Sequence, residues 1–302
     1  MLAPNSPPPS DATPVTTAQP STVLRSDRAS VGRAGSALAR RRQRLILGLR
    51  IAIVVVFTGG WEIAARTHVI DPFFFAMPST IVAQLWTWIV DGTAQGPLWG
   101  EVAVTLEETV LGFVIGSILG IVFGIVLGRD KLLADVFSIF IKVANSIPRI
   151  VLGSIFVIAL GLGMPSKVAL AVVMVFFVVF ANAFQGVREA DRALITNARI
   201  LGASSFQVTR HVIVPAAMSW ILASLHVSFG FALVGAVVGE FLGSRHGIGL
   251  LISAEQGLFN PAGVFAAMIV LAIVALIADY LLTWVEHRLL KWRPPAFGDV
   301  ST

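Results

Sequence analysis

Six long apolar runs constrain the fold of this sequence more than any other feature. They cover residues 45–65, 109–128, 150–166, 168–187, 212–239 and 257–278. Crossing a hydrocarbon core of about 30 Å takes roughly 20 helical residues, a length that every run except the third reaches. The runs lack the alternating polarity of membrane strands, and helices satisfy their own backbone in lipid. The sequence therefore predicts an all-α, polytopic integral membrane protein with six transmembrane helices.

The composition and the missing motifs narrow the functional classes. Only 13% of the 302 residues are charged, whereas soluble domains carry about a quarter. The absence of cysteine excludes disulfides, thiolate metal sites and cysteine nucleophiles. The sequence contains no P-loop, H-E-x-x-H or G-x-S-x-G motif. We therefore expect no catalytic residues, no metal site and no cofactor in this chain, and a membrane enzyme has no residues to carry its chemistry.

The basic residues predict how the chain is oriented in a cell membrane. Lys and Arg accumulate in cytoplasmic loops. Of the 22 Lys and Arg residues, all but four fall in 1–44, 129–149, 188–211 and 287–302; the exceptions are Arg50, Arg66, Lys167 and Arg245. This distribution predicts an inner-membrane protein with both termini in the cytoplasm. It also explains the net charge of +5 without a nucleic-acid partner.

The segments outside the core have their own signatures. The first twenty residues hold six prolines, so we expect 1–44 to be a disordered cytoplasmic tail before the first transmembrane helix at 45–65. The outer segment 66–101 contains a helical pattern that starts near Ser79 and carries tryptophans suited to the membrane interface, which predicts an interfacial helix. Glu107 and Glu108 are expected at the outer surface. Residues 287–302 form a cytoplasmic tail.

Five glycines recur at intervals of four in the second apolar run. Such a spacing places small residues along one stripe of a helix, where another helix can approach closely. We expect a helix-packing seam, either ordinary packing within the subunit or a seam that flanks a solute pathway. The stripe consists of Gly112, Gly116, Gly120, Gly124 and Gly128.

The cytoplasmic loop 188–215 is the most informative stretch. Leu194, Ala198 and Leu201 follow at i, i+4 and i+7, which predicts an amphipathic helix. Gly202 permits the positive φ of a helix end, and a second short helix should run to His211. Pro215 occupies a favoured position in the first turn of the fifth membrane helix. The loop is therefore predicted to be helix, turn, helix, then membrane helix.

This loop resembles the EAA motif of type I ABC importer permeases. Gly202 matches the motif glycine, Ala198 its second alanine, and Val212, Val214 and Pro215 its Ile, Leu and Pro positions, whereas Thr196 and Asn197 replace its Glu and first Ala. The likeness covers about 78–293 and is closest to the nitrate, sulfonate and taurine branch. It includes 77–79 (Met-Pro-Ser), 147–148 (Ile-Pro), 161–163 (Gly-Leu-Gly), 247–249 (Gly-Ile-Gly) and 288–294.

The resemblance implies a MetI-like ABC type-1 permease fold over 102–286, with a cytoplasmic coupling helix. It implies an ABC ATPase subunit that binds the ATP, an extracytoplasmic solute-binding protein and a second permease copy, most simply in a homodimer. It also implies import of a small oxyanion such as nitrate, taurine or an alkanesulfonate. The residues that would couple to the ATPase are Leu194, Ala198, Leu201, Gly202, Ala203 and Pro215.

Ionisable residues near membrane spans are candidates for the translocation path because their burial is costly. Arg149 could meet an anion or snorkel to the inner interface. His226 could bind substrate or hydrogen-bond within the bundle, and Glu240 could belong to an outer gate or to the interface. The alternative function is a gradient-driven secondary transporter. That class needs charged or broken helices at the membrane midplane, and the sequence shows neither clearly.

Overall fold

The computed structural model describes residues 23–289, and in that range the chain is helical without a β-strand. A π-helical turn at Thr209–Ile213 separates α9 from α10. The twelve α-helices of this range are α1 (Val23–Arg66), α2 (Pro72–Phe75), α3 (Pro78–Val90), α4 (Leu98–Arg129), α5 (Lys131–Ser146), α6 (Val151–Leu160), α7 (Met164–Arg188), α8 (Arg192–Ile200), α9 (Ser205–Val208), α10 (Val214–Leu242), α11 (Ile248–Gly257) and α12 (Pro261–Leu289).

The chain divides into two compact units within α1, after Trp61. The second unit is built around three long helices, α4, α7 and α10, which pack on one another. α4 and α7 run in the same direction, since Gly112 lies against Ala171 near one end and Gly128 against Val187 near the other. α10 runs opposite to α7, with Gly239 against Lys167. Small residues on all three helices permit this close approach.

The glycine stripe of α4 faces α7 along its whole length. A Cβ at Gly116 would lie 2.8 Å from the Cβ of Val175, and one at Gly120 would lie 2.9 Å from that of Val179. Gly124 meets Ala183 in the same way, while the other two stripe glycines lie against Ala171 and Val187. The stripe is therefore a packing seam inside one subunit.

Six helical segments of the described residues are long and apolar enough to cross a membrane. They are Arg42–Arg66, Pro72–Val90, Leu98–Arg129, Met164–Arg188, Ser205–Leu242 and Pro261–Trp284. The number matches the sequence prediction, but one member differs. Pro72–Val90 includes α2 and α3 and lies in the outer segment, for which the sequence predicted an interfacial helix. The predicted third run, 150–166, is not among these six segments.

The predicted third span, 150–166, is wrong. Residues 130–163 instead form α5 and the ten-residue α6, separated by a break at 147–150. Pro148 has no N–H and restricts the residue before it to extended conformations, and Ile147 has φ −77° and ψ 126°. At its other end α6 stops at Gly161, which has a φ of 82°, a left-handed conformation that glycine adopts without strain. Neither α5 nor α6 is long enough to cross a membrane alone.

Four other boundaries differ from the sequence prediction. The tail predicted as disordered over 1–44 is helical from Val23, because the prolines end at residue 20 and Ala, Leu and Arg then favour helix. Residues 1–22, and the part of the predicted cytoplasmic tail beyond residue 289, lie outside the described range. α4 begins at Leu98, eleven residues before the apolar run, and α10 and α12 likewise extend past their runs.

Candidate functional site

The loop 188–215 forms two short helices joined at a tight turn. Asp191 caps α8 by accepting a hydrogen bond from the N–H of Ala193 at 2.7 Å. Gly202 has φ 87°, the left-handed conformation that glycine adopts without strain. Ser204 and Gln207 then form a reciprocal capping box at the start of α9. Both helix starts and the turn between them are thus defined by local hydrogen bonds and backbone conformation.

The two apolar sides of this loop point in different directions. Leu201 is 86% exposed, and Leu194, Ile200 and Phe206 of the same loop are also exposed. We call these four side chains the loop patch. In contrast, Ala198 and Ala203 pack with Ile195 against a buried cluster that contains Val187, Val208 and Ile213. Of the residues predicted to couple to the ATPase, Leu194 and Leu201 therefore lie on the open face, whereas Ala198 and Ala203 attach the loop to the membrane core.

Pro215 does not begin a new helix. α9, the π-helical turn and α10 are continuous from Ser205 to Leu242. A proline ring clashes with the carbonyl four residues earlier and offers no N–H, and a π turn widens the helix just before it. The predicted helix–turn–helix is therefore correct up to Gly202, but the second loop helix runs directly into the fifth membrane helix.

A second candidate site is a buried polar cluster where α4 and α10 meet the start of α11. Glu240 is fully buried; its two carboxylate oxygens accept hydrogen bonds from Thr105 Oγ1 and the N–H of Gly249, each at 2.7 Å. Glu101 accepts a hydrogen bond from the N–H of Gly247 and pairs with His246 Nδ1 at 3.2 Å. These contacts tie the segment 246–249 to two membrane helices.

The sequence prediction missed two further charges in this region. Glu108, expected at the surface, is buried on α4, and Lys167 is buried on α7. The Lys167 Nζ donates to the carbonyl oxygens of Leu162 and Gly163, at 2.7 and 3.2 Å, and interacts with the carboxylates of Glu108 and Glu240. The correction has a simple cause: α4 starts eleven residues before its apolar run, so that Glu108 lies within the three-helix core.

The remaining path candidates contact neighbouring helices. The guanidinium of Arg149 is 4.9 Å from the centroid of the Phe177 ring, which lies in the middle of α7. His226 Nε2 on α10 lies 2.9 Å from Asp279 Oδ1 on α12, which links those two helices. In the described part of the chain no group of three metal-ligating side chains comes together.

Comparisons with known proteins identify the family. A model of the binding-protein-dependent transport system inner membrane component matches residues 108–291, well over half of the chain. A putative aliphatic sulfonates transport permease of Bacillus subtilis, SsuC, is 30% identical over 84% of this chain and 90% of its own length. The chain belongs to this permease family.

Other relatives in the permease family are named for different solutes. The riboflavin transport system permease RibX of Chloroflexus aurantiacus is 28% identical over 82% of this chain and 90% of its own length. The taurine transport system permease TauC of Escherichia coli is 27% identical over 81% of this chain and 89% of its own length. These matches identify the family of the chain, but they do not identify the solute that it transports.

The fold agrees with this permease family. An inward-facing structure of the MetNI methionine ABC transporter matches with a TM-score of 0.50 and 20% identity, over 64% of this chain and 93% of the matched chain. The predicted all-α, MetI-like fold is therefore confirmed. Family membership does not favour the secondary-transporter alternative.

Proposed function

We propose that this chain is the translocation subunit of an ATP-driven importer, working with a separate ABC ATPase, a solute-binding protein and a second copy of itself. The observation that carries this proposal is the loop patch, Leu194, Ile200, Leu201 and Phe206. Apolar side chains on a polar loop outside the membrane helices are costly in water and mark a contact with another protein. A contact with the ATPase would cover them.

The construction of the loop suits a mechanical coupling. Ala198 and Ala203 fix it to the core cluster of α7 and α10, and α9 continues without interruption into α10. A displacement of the loop patch by the ATPase would therefore move α10 as a rigid body. This type of two-state helix movement is how domain motions open and close a path. Pro215 and the π turn lie at the junction and set the angle at which the loop meets the helix.

The proposed orientation has the loop patch and both termini in the cytoplasm of a multi-pass cell-membrane protein. Arg129 and Lys131 at the α4–α5 junction, and the four arginines of 188–211, support it through the positive-inside rule. With this orientation α11 and the cluster around Glu240 face outward, where a binding protein would dock. An impermeant maleimide should then label Ser253→Cys but not Ser205→Cys in intact cells.

The proposed cargo is a small organic sulfonate or a related oxyanion. The names of the Bacillus subtilis and Escherichia coli relatives support this class. The name of the Chloroflexus aurantiacus relative points to riboflavin instead, so the proposed class rests on the sulfonate and taurine relatives. The chain itself is proposed to hydrolyse no ATP and to hold no cofactor.

Variants of the loop test the coupling directly. Leu201→Asp puts a charge into the proposed contact, and Gly202→Val puts a β-branched residue where φ is 87°. Both variants should insert normally in the membrane, lose the ATPase on copurification and lose at least tenfold in solute uptake. Ser205→Ala is the matched control, because only the backbone carbonyl of Ser205 accepts a hydrogen bond there. Retention of the ATPase and of uptake in both loop variants would refute the coupling role.

A further inference from the structure

The ends of α4 and α7 enclose a small cavity together with the start of α8. Gly128 of α4 lies against Val187 of α7, so the last residues of the two helices, Arg129 and Arg188, open on the same cavity. Arg192, the first residue of α8, also lines it, and we call it the arginine cavity. Its volume is about 160 Å³, which exceeds the ~30 Å³ of one liquid water but not the ~300 Å³ of a pocket for a drug-sized ligand. The cavity therefore has room for one small polar group.

The lining of the arginine cavity combines guanidinium groups with apolar side chains. Its apolar part includes Ala134 of α5 and Val187, Ile195 and Ile213. The last three belong to the cluster that fixes the loop to the membrane core. The three arginines are exposed, so a ligand can reach them from outside the chain. A ligand in this cavity meets both charged donors and an apolar surface.

The acidic side chains closest in sequence to these arginines have other partners. Asp130 and Asp191 accept hydrogen bonds from backbone N–H groups at the starts of α5 and α8. Glu189 accepts a hydrogen bond from the side-chain amide of Gln185 at 2.9 Å. Within the part of the chain that the structure describes, none of the three arginines forms an ion pair. Their charges are therefore available to an anion that is not part of this chain.

Helix dipoles account for two of the arginines but not for the third. The C-terminus of a helix favours a cation, and Arg129 and Arg188 end α4 and α7. Arg188 also lies 5.5 Å from the centroid of the Phe184 ring. Arg192 instead occupies the first turn of α8, where the partial positive charge of the helix disfavours a cation. An anion bound among the three arginines offsets this cost, so the position of Arg192 indicates an anion site.

The position of the arginine cavity along the helices selects the kind of anion. Arg129 and Arg188 are the last residues of two membrane-length segments, Leu98–Arg129 and Met164–Arg188. The ends of such segments lie near the boundary between hydrocarbon and water, where phospholipid head groups are found. The proposed orientation puts this end in the cytoplasmic leaflet, which contains anionic lipids. The apolar lining also suits a lipid, because free phosphate has no apolar part to contact it.

We propose that the arginine cavity binds the phosphate of an anionic phospholipid of the inner leaflet, with Arg129, Arg188 and Arg192 as hydrogen-bond donors. The planar donor fork of a guanidinium matches phosphate oxygens, and basic pockets between membrane helices on the cytoplasmic side bind lipid head groups. The lipid joins the ends of α4 and α7 to the start of α8 and so braces the loop that carries the loop patch. This inference rests on the proposed function for the orientation of the chain.

Lipid binding by the purified full-length chain tests this site. The chain in detergent would be titrated with phosphatidylglycerol, with zwitterionic phosphatidylcholine and with inorganic phosphate, and bound lipid would be counted by native mass spectrometry. Wild type should prefer phosphatidylglycerol to phosphatidylcholine by more than about tenfold, since each arginine near the surface contributes roughly fivefold. Arg192→Gln should lower this preference about fivefold, and Arg129→Gln combined with Arg192→Gln should abolish it. Arg210→Gln, an exposed arginine of the same loop outside the cavity, is the matched control and should keep the wild-type preference.

The outcomes distinguish a lipid site from its alternatives. Equal binding of the two lipids by wild type, or an unchanged preference in the double variant, overturns the proposal. Displacement of phosphatidylglycerol by millimolar inorganic phosphate assigns the cavity to a free anion and also overturns it. Loss of the ATPase from a double variant that keeps its lipid preference assigns the arginines to the ATPase contact instead. Where the double variant is not monodisperse, Arg192→Gln decides, because its side chain lies on the loop and not in the membrane core.

The lipid measurement does not depend on the proposed function. It uses the chain without its partners, so a wild-type chain that retains no ATPase on copurification contradicts the importer role and leaves the lipid preference measurable. Conversely, a chain that binds its ATPase but shows no preference for phosphatidylglycerol overturns only the lipid site.

Discussion

At the scale of single residues, Glu240 shows how one carboxylate can organise an entire corner of the molecule. It bridges Thr105 of α4 and Gly249 of α11 from the end of α10. Gly247, with φ 109°, passes directly over this carboxylate, where a Cβ would have no room, and Gly249 is similarly enclosed. The Gly-Ile-Gly sequence is therefore required by the close approach of the backbone to a buried acid.

Glu240→Gln should loosen this corner. The amide keeps the size of the side chain but has only one acceptor oxygen, so the Thr105 hydroxyl or the Gly249 N–H loses its partner. Leaving such a buried group unpaired costs about 1–3 kcal/mol. We expect a lower melting temperature of the purified permease, whereas Glu107→Gln at an exposed position should melt like wild type. Equal melting temperatures for both variants would show that the bridge contributes nothing.

The sequence alone predicted residue roles where the signal is local. The positive φ of Gly202 followed from its place at a helix end. Glu108 and Lys167 could not be placed, because their burial depends on the approach of α4, α7 and α10 and not on their neighbours in sequence. Their position before an apolar run looks the same as that of a solvated charge. The partner of His226, Asp279 on α12, was hidden for the same reason.

At the scale of helices, the seam between α4 and α7 gives the sharpest expectation. Gly120→Leu introduces a Cβ 2.9 Å from that of Val179 and 3.0 Å from the carbonyl oxygen of Phe176, so the helices must separate. Overpacking of this kind costs about 1–3 kcal/mol or more. The yield of monodisperse protein after detergent extraction should fall severalfold. Ile118→Leu, on an exposed face of the same helix, should not change it, and equal yields would exclude the seam as a determinant of folding.

The periodic glycines indicated a seam, but the sequence did not identify which helix fills it. The break between α5 and α6 shows another limit of prediction from the sequence. Pro148 marked a boundary, yet the charges of α5 made it look like part of a cytoplasmic loop and not a helix of its own. The break at 147–150 could not be placed from hydropathy, because hydropathy averages over neighbouring residues.

At the scale of the whole molecule, the loop patch and the helical core belong to one scheme. The loop continues through α9 into α10, and the core of α4, α7 and α10 is closely packed through small residues. We expect a movement of the loop to reach the corner around Glu240 along α10. The family match identifies this arrangement as a permease. A permease of this kind differs from a gradient-driven transporter in its energy source, which is ATP.

The central claim is that ATP hydrolysis by a partner drives solute movement through this chain. The most direct measurement is ethanesulfonate uptake into proteoliposomes that contain the chain, its ATPase and its binding protein, with and without ATP and with proton and sodium gradients collapsed by ionophores. The account predicts uptake that requires ATP and is unchanged by the ionophores. Uptake that proceeds without ATP and stops when the gradients are collapsed would contradict it.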